Sequence, residues 1–438
     1  MNEMSRHHNE VAAQIIPMIR EVFAEQRPCD KLGMTFQFGE KGWSLSPEEA
    51  ELFHDAVRIL ASGFPRVHQK TCSRELERFC CENISGHGVA FEAAVPTLLS
   101  RLDELGRINN TVYIEISGIR LELPEVDVGP VKIIPSTHCD IDKHRLTIKD
   151  INGNYPPPVD ADVLLAMVEV TGEPQFAKEV AQDQAQTALD CLQVLSIQEN
   201  HAAFENSFGF MLACSEPMPL ICCRRWMYSD IEPTWSFDKA CGPTIATNNP
   251  KLNLPLNQAI LVKLQERGLS FANDLLRESS PSPFDEGVLA AIRWIAIAIR
   301  ERDFTRKYLA FHIAIEALFA RDNFAARNST GYLAPSVPVD EGIAYLLGKD
   351  TEARMHIAER SRELSKTRNM IVHRGYTSIE RQDLLTMAYY SWNCCVQGLK
   401  MRSLFREENS FRQWCLRKKF ETLSEEPMDT KQRPKPYC

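Results

Sequence analysis

The stretch TEARMHIAERSRELSKTRNMIVHRG, Thr351–Gly375, reads as one amphipathic helix that crowds an Arg, an Asn and a His into its last turn. Ile357, Leu364 and Ile371 recur every seven residues, an apolar seam for a neighbour, while Glu359, Arg360, Arg362, Glu363 and Lys366 fall on wetter faces. Gly375 suits the left-handed position that closes a helix. Thr377-Ser378-Ile379-Glu380 has the Thr-x-x-Glu spacing of a capping box, so the next helix is expected almost at once. His373 would then stand at a tight corner between two helices.

Asn369 and His373 are four residues apart and share a face; Arg368 is one position round but long enough to swing toward them. An imidazole, with an ordinary pKa of about 6.5, exchanges protons near neutrality. A guanidinium is a flat, permanently charged fork that matches phosphate oxygens. Those are the two groups needed to cleave RNA without a metal. His373 would take or return the proton of the 2′-hydroxyl or leaving oxygen, Arg368 would hold the phosphate as charge builds, and Asn369 would fix the imidazole or a phosphate oxygen. A 2′,3′-cyclic phosphate and a 5′-hydroxyl would result. Lys366 and Arg374 are expected to bind substrate beside them. The bland alternative is three solvated side chains at a helix C-terminus, where a cation is favoured by the dipole anyway.

A second Arg/His pair, Arg306 and His312, lies in an almost continuously apolar segment, so His312 reads as a core or helix-contact histidine. Glu316, in IAIEALF, is a carboxylate in apolar company and needs a partner. Either it pairs with His312 four residues earlier, or it orients a histidine or arginine of the site.

RNMIVH resembles the Arg-x4-6-His motif of HEPN domains, in the form with a polar residue straight after the Arg. AIRWIAIAIRERDFTRKYLAFHIAIEALFA, GIAYLLG and ELSKTRNMIVHRGY are similar in order and spacing to the ApeA-like branch of that superfamily, over residues 284–405. The resemblance implies a helical bundle that pairs two protomers so that their motifs share a composite cleft. It also implies metal-independent endoribonuclease activity without a cofactor, often in anti-phage defence or toxin systems. The rival within the same resemblance is a non-catalytic module for dimerisation or for binding RNA or a protein.

The chain has 438 residues, enough for two or three domains, with 44% hydrophobic and 25% charged residues and a formal net charge of −9. That balance argues against a whole surface devoted to nucleic acid, but not against a local cleft. The fourteen cysteines are scattered or adjacent, as in Cys80-Cys81, Cys222-Cys223 and Cys394-Cys395, and MNEMSRHHNE does not read as a leader. Reduced thiols in a cytoplasmic protein are expected. Neither His7-His8 nor Cys72, Cys80 and Cys81 with His87 has the short spacing of a zinc site, so no metal is expected. The best apolar run, Val288 to Ile299, is short and holds Arg293, so no membrane span is expected.

Working outward, the class is α+β: a mixed N-terminal region with antiparallel strands, then an all-α bundle. Residues 1–150 read as helices plus strands, 151–283 as a second mixed region possibly continuous with the first, 284–405 as the bundle, and 406–438 as a basic, then disordered, tail. Helices are expected from Glu10 to Glu25, interrupted by Pro17, from Pro47 through Leu60 with Ser46 as cap, from Gln175 to Gln198, and from Leu256 to Arg277. TVYIEISGIRLEL, VKIIPS, HRLTIKD, ADVLLAMVEVT, FGFMLAC and LICCRRWMY read as strands, and NGNYPPPVD as a turn.

Ser279 to Asp285, SSPSPFD, is the expected domain boundary. Two apolar helices, Asp285 to Arg302 and Thr305 to Phe319, then a polar loop, Arg321 to Pro338, should precede a short helix and the motif helix. In the last bundle helix Leu385, Ala388, Trp392, Cys395 and Leu399 form a core stripe. Two basic stretches could collect RNA or merely be solvated: Arg224 and Arg225 beside Trp226 and Tyr228, and the run holding Lys400, Arg402, Arg406, Arg412, Arg417, Lys418 and Lys419. On this reading the N-terminal two thirds restrain the bundle or sense a trigger or partner protein.

Overall fold

Alternation of apolar and polar residues over NNTVYIEI produces the central strand of a sheet, and alanine at successive turns of the helix after the sheet's neighbouring strand lets that helix lie close upon it. The computed structural model describes residues 3–22, 34–38, 41–84, 91–116, 119–138, 164–197, 224–229, 234–239, 254–301, 303–330, 338–407 and 410–425.

The N-terminal part comprises helices α1 (Glu3–Val22), α2 (Pro47–Gly63), α3 (Gln69–Ile84) and α4 (Phe91–Leu105), with the hairpin β1 (Met34–Phe38) and β2 (Lys41–Leu45). Val11, Ile15, Phe53, Leu60, Leu76 and Leu99 belong to its own core. The first helix starts seven residues before the expected Glu10 and passes through Pro17 without ending. Buried Ile15 and Ile19 flank the proline, so packing on both sides holds a turn that lacks one hydrogen bond. Ser46 and Glu49 form the expected reciprocal cap, with Pro47 in the first turn.

The sheet has strand order β5-β6-β7-β3-β8-β9, every pair antiparallel: β3 (Asn109–Ile116), β5 (Val126–Val128), β6 (Val131–Pro135), β7 (Leu164–Thr171), β8 (Arg224–Ser229) and β9 (Thr234–Lys239). A separate parallel pair joins β4 (Ile119–Leu121) to β10 (Leu254–Leu256). HRLTIKD, NGNYPPPVD and FGFMLAC lie outside the described residues, as do the side chains of Arg224, Arg225, Trp226 and Tyr228.

Helix α5 (Pro174–Leu195) follows β7, with Glu173 capping it through Phe176 N at 3.1 Å. Ala177, Ala181, Ala185, Ala188, Leu192 and Leu195 are buried, as their spacing predicts. The helix expected from Leu256 to Arg277 is two, α6 (Gln258–Arg267) and α7 (Leu269–Arg277), because Gly268 at φ 113° turns the chain into the left-handed region.

The bundle contains α8 (Pro283–Arg300), α9 (Phe304–Thr330), α10 (Val339–Leu347), α11 (Thr351–Arg374) and α12 (Arg381–Met401), followed by α13 (Ser410–Glu425). Helix α9 continues to Thr330 where a loop from Arg321 was expected, since RDNFAARNST holds neither Gly nor Pro to stop it. It crosses α8 closely at Gly287, where a Cβ would stand 2.9 Å from the Ala317 carbonyl oxygen.

The expected division near Ser279–Asp285 is not a break in packing. One cluster of buried residues runs from Val112 of β3 through α5 and the bundle to Cys415 of α13, so sheet and bundle share a core. The indole of Trp392 adds a tie, donating to the Val194 carbonyl at 2.9 Å. The basic stretch beyond α12 is likewise no detached tail. Phe405 and Phe411 pack on Phe284, Phe411 on Phe319, and Trp414 on both. Arg402 is buried on Asp285 at 2.7 Å, Arg406 meets Glu278 at 2.9 Å and Lys419 meets Glu341 at 3.2 Å, so these cations are already paired. Among the described residues, no helix is long and apolar enough to cross a membrane.

Burial works to raise the Asp285 carboxyl, but the Arg402 guanidinium and Ser282 outweigh it and hold it below the ordinary aspartate range. Asp285→Ala should therefore cost about 3 kcal/mol in urea unfolding, because it leaves the buried Arg402 guanidinium with Glu278, 3.5 Å away, in place of its closer carboxylate. A carboxyl whose pKa is depressed by folding stabilises above its unfolded value and loses that contribution as pH falls through its folded one. The deficit of the variant should accordingly narrow below about pH 4.

Candidate active site

Helix α11 is fixed at both ends by its own sequence. Asp350 caps the start, accepting from Ala353 N at 2.8 Å. Gly375, at φ 65° and ψ 27°, closes the end, donating to Ile371 O at 3.1 Å while Tyr376 N donates to Met370 O at 3.3 Å. The seam is in place, with Leu364 and Ile371 buried and Ile357 packed at the edge of the core. Tyr308 of α9 donates its hydroxyl to the Leu364 carbonyl at 2.7 Å in the interior, and burial pushes its phenol up, so it stays a donor. Arg360 pairs with Asp383 of α12, and Arg362 with Asp340 of α10 at 2.6 Å. The last turns of α11 thus project from a helix held on three sides.

On that end Arg368 is half-buried, and Asn369 and His373 are exposed. Arg368 donates from Nη1 to Asn369 Oδ1 at 3.1 Å, and its Nη2 lies 3.4 Å from Oε1 of Glu316 on α9. The same Oε1 lies 3.5 Å from Nδ1 of His312. The two partners open to Glu316 in the sequence are therefore both engaged, and the carboxylate links the core histidine to the motif arginine. The imidazole of His312 above all, with help from Arg368, holds the Glu316 carboxyl below the ordinary glutamate range against the opposing effect of burial. His312 is buried, as its apolar surroundings predict.

His373 stands one turn beyond Asn369 and makes no hydrogen bond among the described residues. Lys366 and Arg374 are exposed, without an ion pair among them. Met370, Val372 and Tyr376 are exposed around the same end. The structure thus joins Arg368, Asn369, Glu316 and His312 directly and leaves His373, Lys366 and Arg374 open beside them. The sequence offers the two partners of Glu316 as alternatives; that it meets His312 and Arg368 at once rests on a contact between separate helices for which no spacing rule exists.

One local expectation is corrected. The Thr377-x-x-Glu380 box does not form, and α12 starts only at Arg381 without a side-chain cap. Ile379 packs against the core and Thr305 Oγ1 donates to Thr377 O at 3.3 Å, which keeps this link out of a helix. Among the described residues no group of three or more His, Cys, Asp or Glu side chains is placed to hold a metal ion. In comparisons with protein-family models, with curated proteins and with solved structures, the chain matches none.

The end of α11 should depend on conformation and not on space, since nothing lies within 4 Å of a Cβ built on Gly375. Gly375→Ala is expected to lose about 1 kcal/mol in urea unfolding and Gly375→Asn less, because Asn tolerates the left-handed region better.

Proposed function

We propose that the chain is a metal-independent endoribonuclease of the HEPN type that cleaves RNA by attack of a 2′-hydroxyl on the adjacent phosphate. The observation that carries the reading is the pairing at the end of α11 of an anchored guanidinium, Arg368 on Glu316, with an open imidazole, His373, one turn further on. A charged fork held by a carboxylate is preorganised to receive phosphate oxygens as negative charge builds. An exposed imidazole reaches water and substrate and can transfer the proton. Asn369, bonded to Arg368, steadies the fork from its own helix, and the exposed Lys366 and Arg374, without an ion pair among the described residues, offer charge to the neighbouring backbone phosphates.

On this proposal the working form is a homodimer. One motif per chain supplies a single imidazole and a single guanidinium, and a two-fold axis beside α11 doubles both. The exposed Met370, Val372 and Tyr376 supply an apolar rim for a second copy to cover. The protein would act in the cytoplasm, in an anti-phage defence or toxin-type system. The N-terminal helices and the sheet would restrain the bundle or answer a trigger or inhibitor protein, and the shared core gives the sheet a mechanical route to the bundle. A second reading, a non-catalytic module for dimerisation or for binding RNA or protein, draws on the same Arg368, because a guanidinium already engaged by Glu316 and Asn369 also serves as a helix tie.

Wild type expressed beside His373→Ala and Arg368→Ala separates the two readings. Cleavage is expected to drop by about 10² to 10⁴ in either variant, to persist in EDTA, and to leave 2′,3′-cyclic phosphate and 5′-hydroxyl ends. Identical growth and RNA integrity in all three would favour the binding module, and loss of cleavage in EDTA would overturn the chemistry.

A further inference from the structure

We infer that His312 is a positioning residue for Arg368, acting through Glu316. The functional consequence rests on the ribonuclease reading above, whereas the coupling itself does not. His312 and Glu316 are four residues apart on α9 and therefore share the face turned to α11. His312 is 5% exposed. Its Nδ1 is buried and makes no hydrogen bond among the described residues, and the polar atom set opposite it is Glu316 Oε1, at 3.5 Å. A histidine kept only for packing would satisfy that nitrogen on a nearby carbonyl, because buried ring nitrogens are seldom left without a bond. Here the ring points its polar atom at the carboxylate that, among the described residues, pairs with the motif arginine.

The geometry is a competition for one oxygen. Glu316 Oε1 stands 3.4 Å from Arg368 Nη2 and 3.5 Å from His312 Nδ1, so a closer approach by either donor weakens the hold on the other. His312 thereby sets where the carboxylate stands and how firmly it grips the guanidinium. Gripped too hard, Arg368 is withheld from a phosphate; released, it loses its preorganisation. The buried ring fixes the compromise from inside the bundle while touching neither Arg368 nor substrate.

A thermal-unfolding cycle tests the coupling without reference to activity. His312→Leu, Arg368→Ala and the double variant are compared in the wild-type and Glu316→Ala backgrounds. The double variant is expected to lose more in Tm than the two single losses added, because each partner takes over the oxygen when the other is removed. That excess should vanish with Glu316→Ala, which removes the shared oxygen. Additive losses in both backgrounds would overturn the inference. His312→Asn, which keeps an N–H near the position of Nδ1, guards against a variant that merely fails to pack.

RNA cleavage supplies the functional arm. His312→Leu should reduce kcat by about ten- to a hundredfold, as displacement of a catalytic group does, and His312→Asn should restore most of it. Equal losses in Leu and Asn, with Tm falling in parallel, would assign His312 to packing alone. If wild type cleaves no RNA, the ribonuclease reading fails while the unfolding cycle still decides whether His312 and Arg368 are joined through Glu316.

Discussion

The close approach of α5 to the sheet on one side and to α8 on the other is the constraint from which the rest of the large core follows. Alanines at 177, 181, 185 and 188 remove side-chain bulk where the helix lies on β7 and β3. Its other side carries polar groups. Asp190, 1% exposed, takes Arg300 at 2.7 Å, and Asp183 takes Arg293 at 2.9 Å. Burial raises the Asp190 carboxyl, and the Arg300 guanidinium beside it opposes that shift. With α8 set against α5, Gly287 admits α9, and Tyr308 of α9 pins α11 one turn before Arg368. The end of the motif helix is thus placed by a relay of contacts that begins at the sheet.

The electrostatics of that end follow from where Glu316 sits. A carboxylate on an otherwise apolar helix would be costly if left alone. Between His312 and Arg368 it is compensated from both sides, and its ionised form is the favoured one. The arrangement makes the arginine half-buried and oriented instead of fully solvated, which is the property that a phosphate site and a structural tie have in common. His373 differs in kind. It is exposed at the helix end and free to respond to whatever approaches.

Most helices of the bundle, and the inner face of α5, were legible because their burial is periodic; Ser46 at the start of α2 and Gly375 at the end of α11 could also be read as caps, whereas the caps Ser282 and Asp350 emerge only in the structure. The misreadings share a cause. Gly268 broke a helix whose apolar pattern continues across it, and RDNFAARNST extended one whose polarity suggested a loop. The Thr377–Glu380 box was overruled by Ile379, which packs against the core, and the Ser- and Pro-rich segment at 279–285 runs from the surface into the shared core at Phe284 and Asp285, which its composition does not reveal. In the candidate site, the helix end with Arg368, Asn369 and His373 could be read from spacing alone. That Glu316 holds His312 and Arg368 together, and not one or the other, could not.

By itself the sequence determined most helices of the bundle and strands such as β3, β6 and β7, which of their faces are apolar, and that a guanidinium, an amide and an imidazole gather at the close of one helix. Those properties depend on neighbours a few residues apart, whose spacing matches the periods of backbone hydrogen bonding. The tertiary structure alone decided that sheet and bundle share a core, that Arg402 and Phe411 belong inside it, and that Arg368 rests on Glu316. Such contacts join residues far apart in the chain, and their partners are selected by the packing of whole surfaces, which no local pattern encodes.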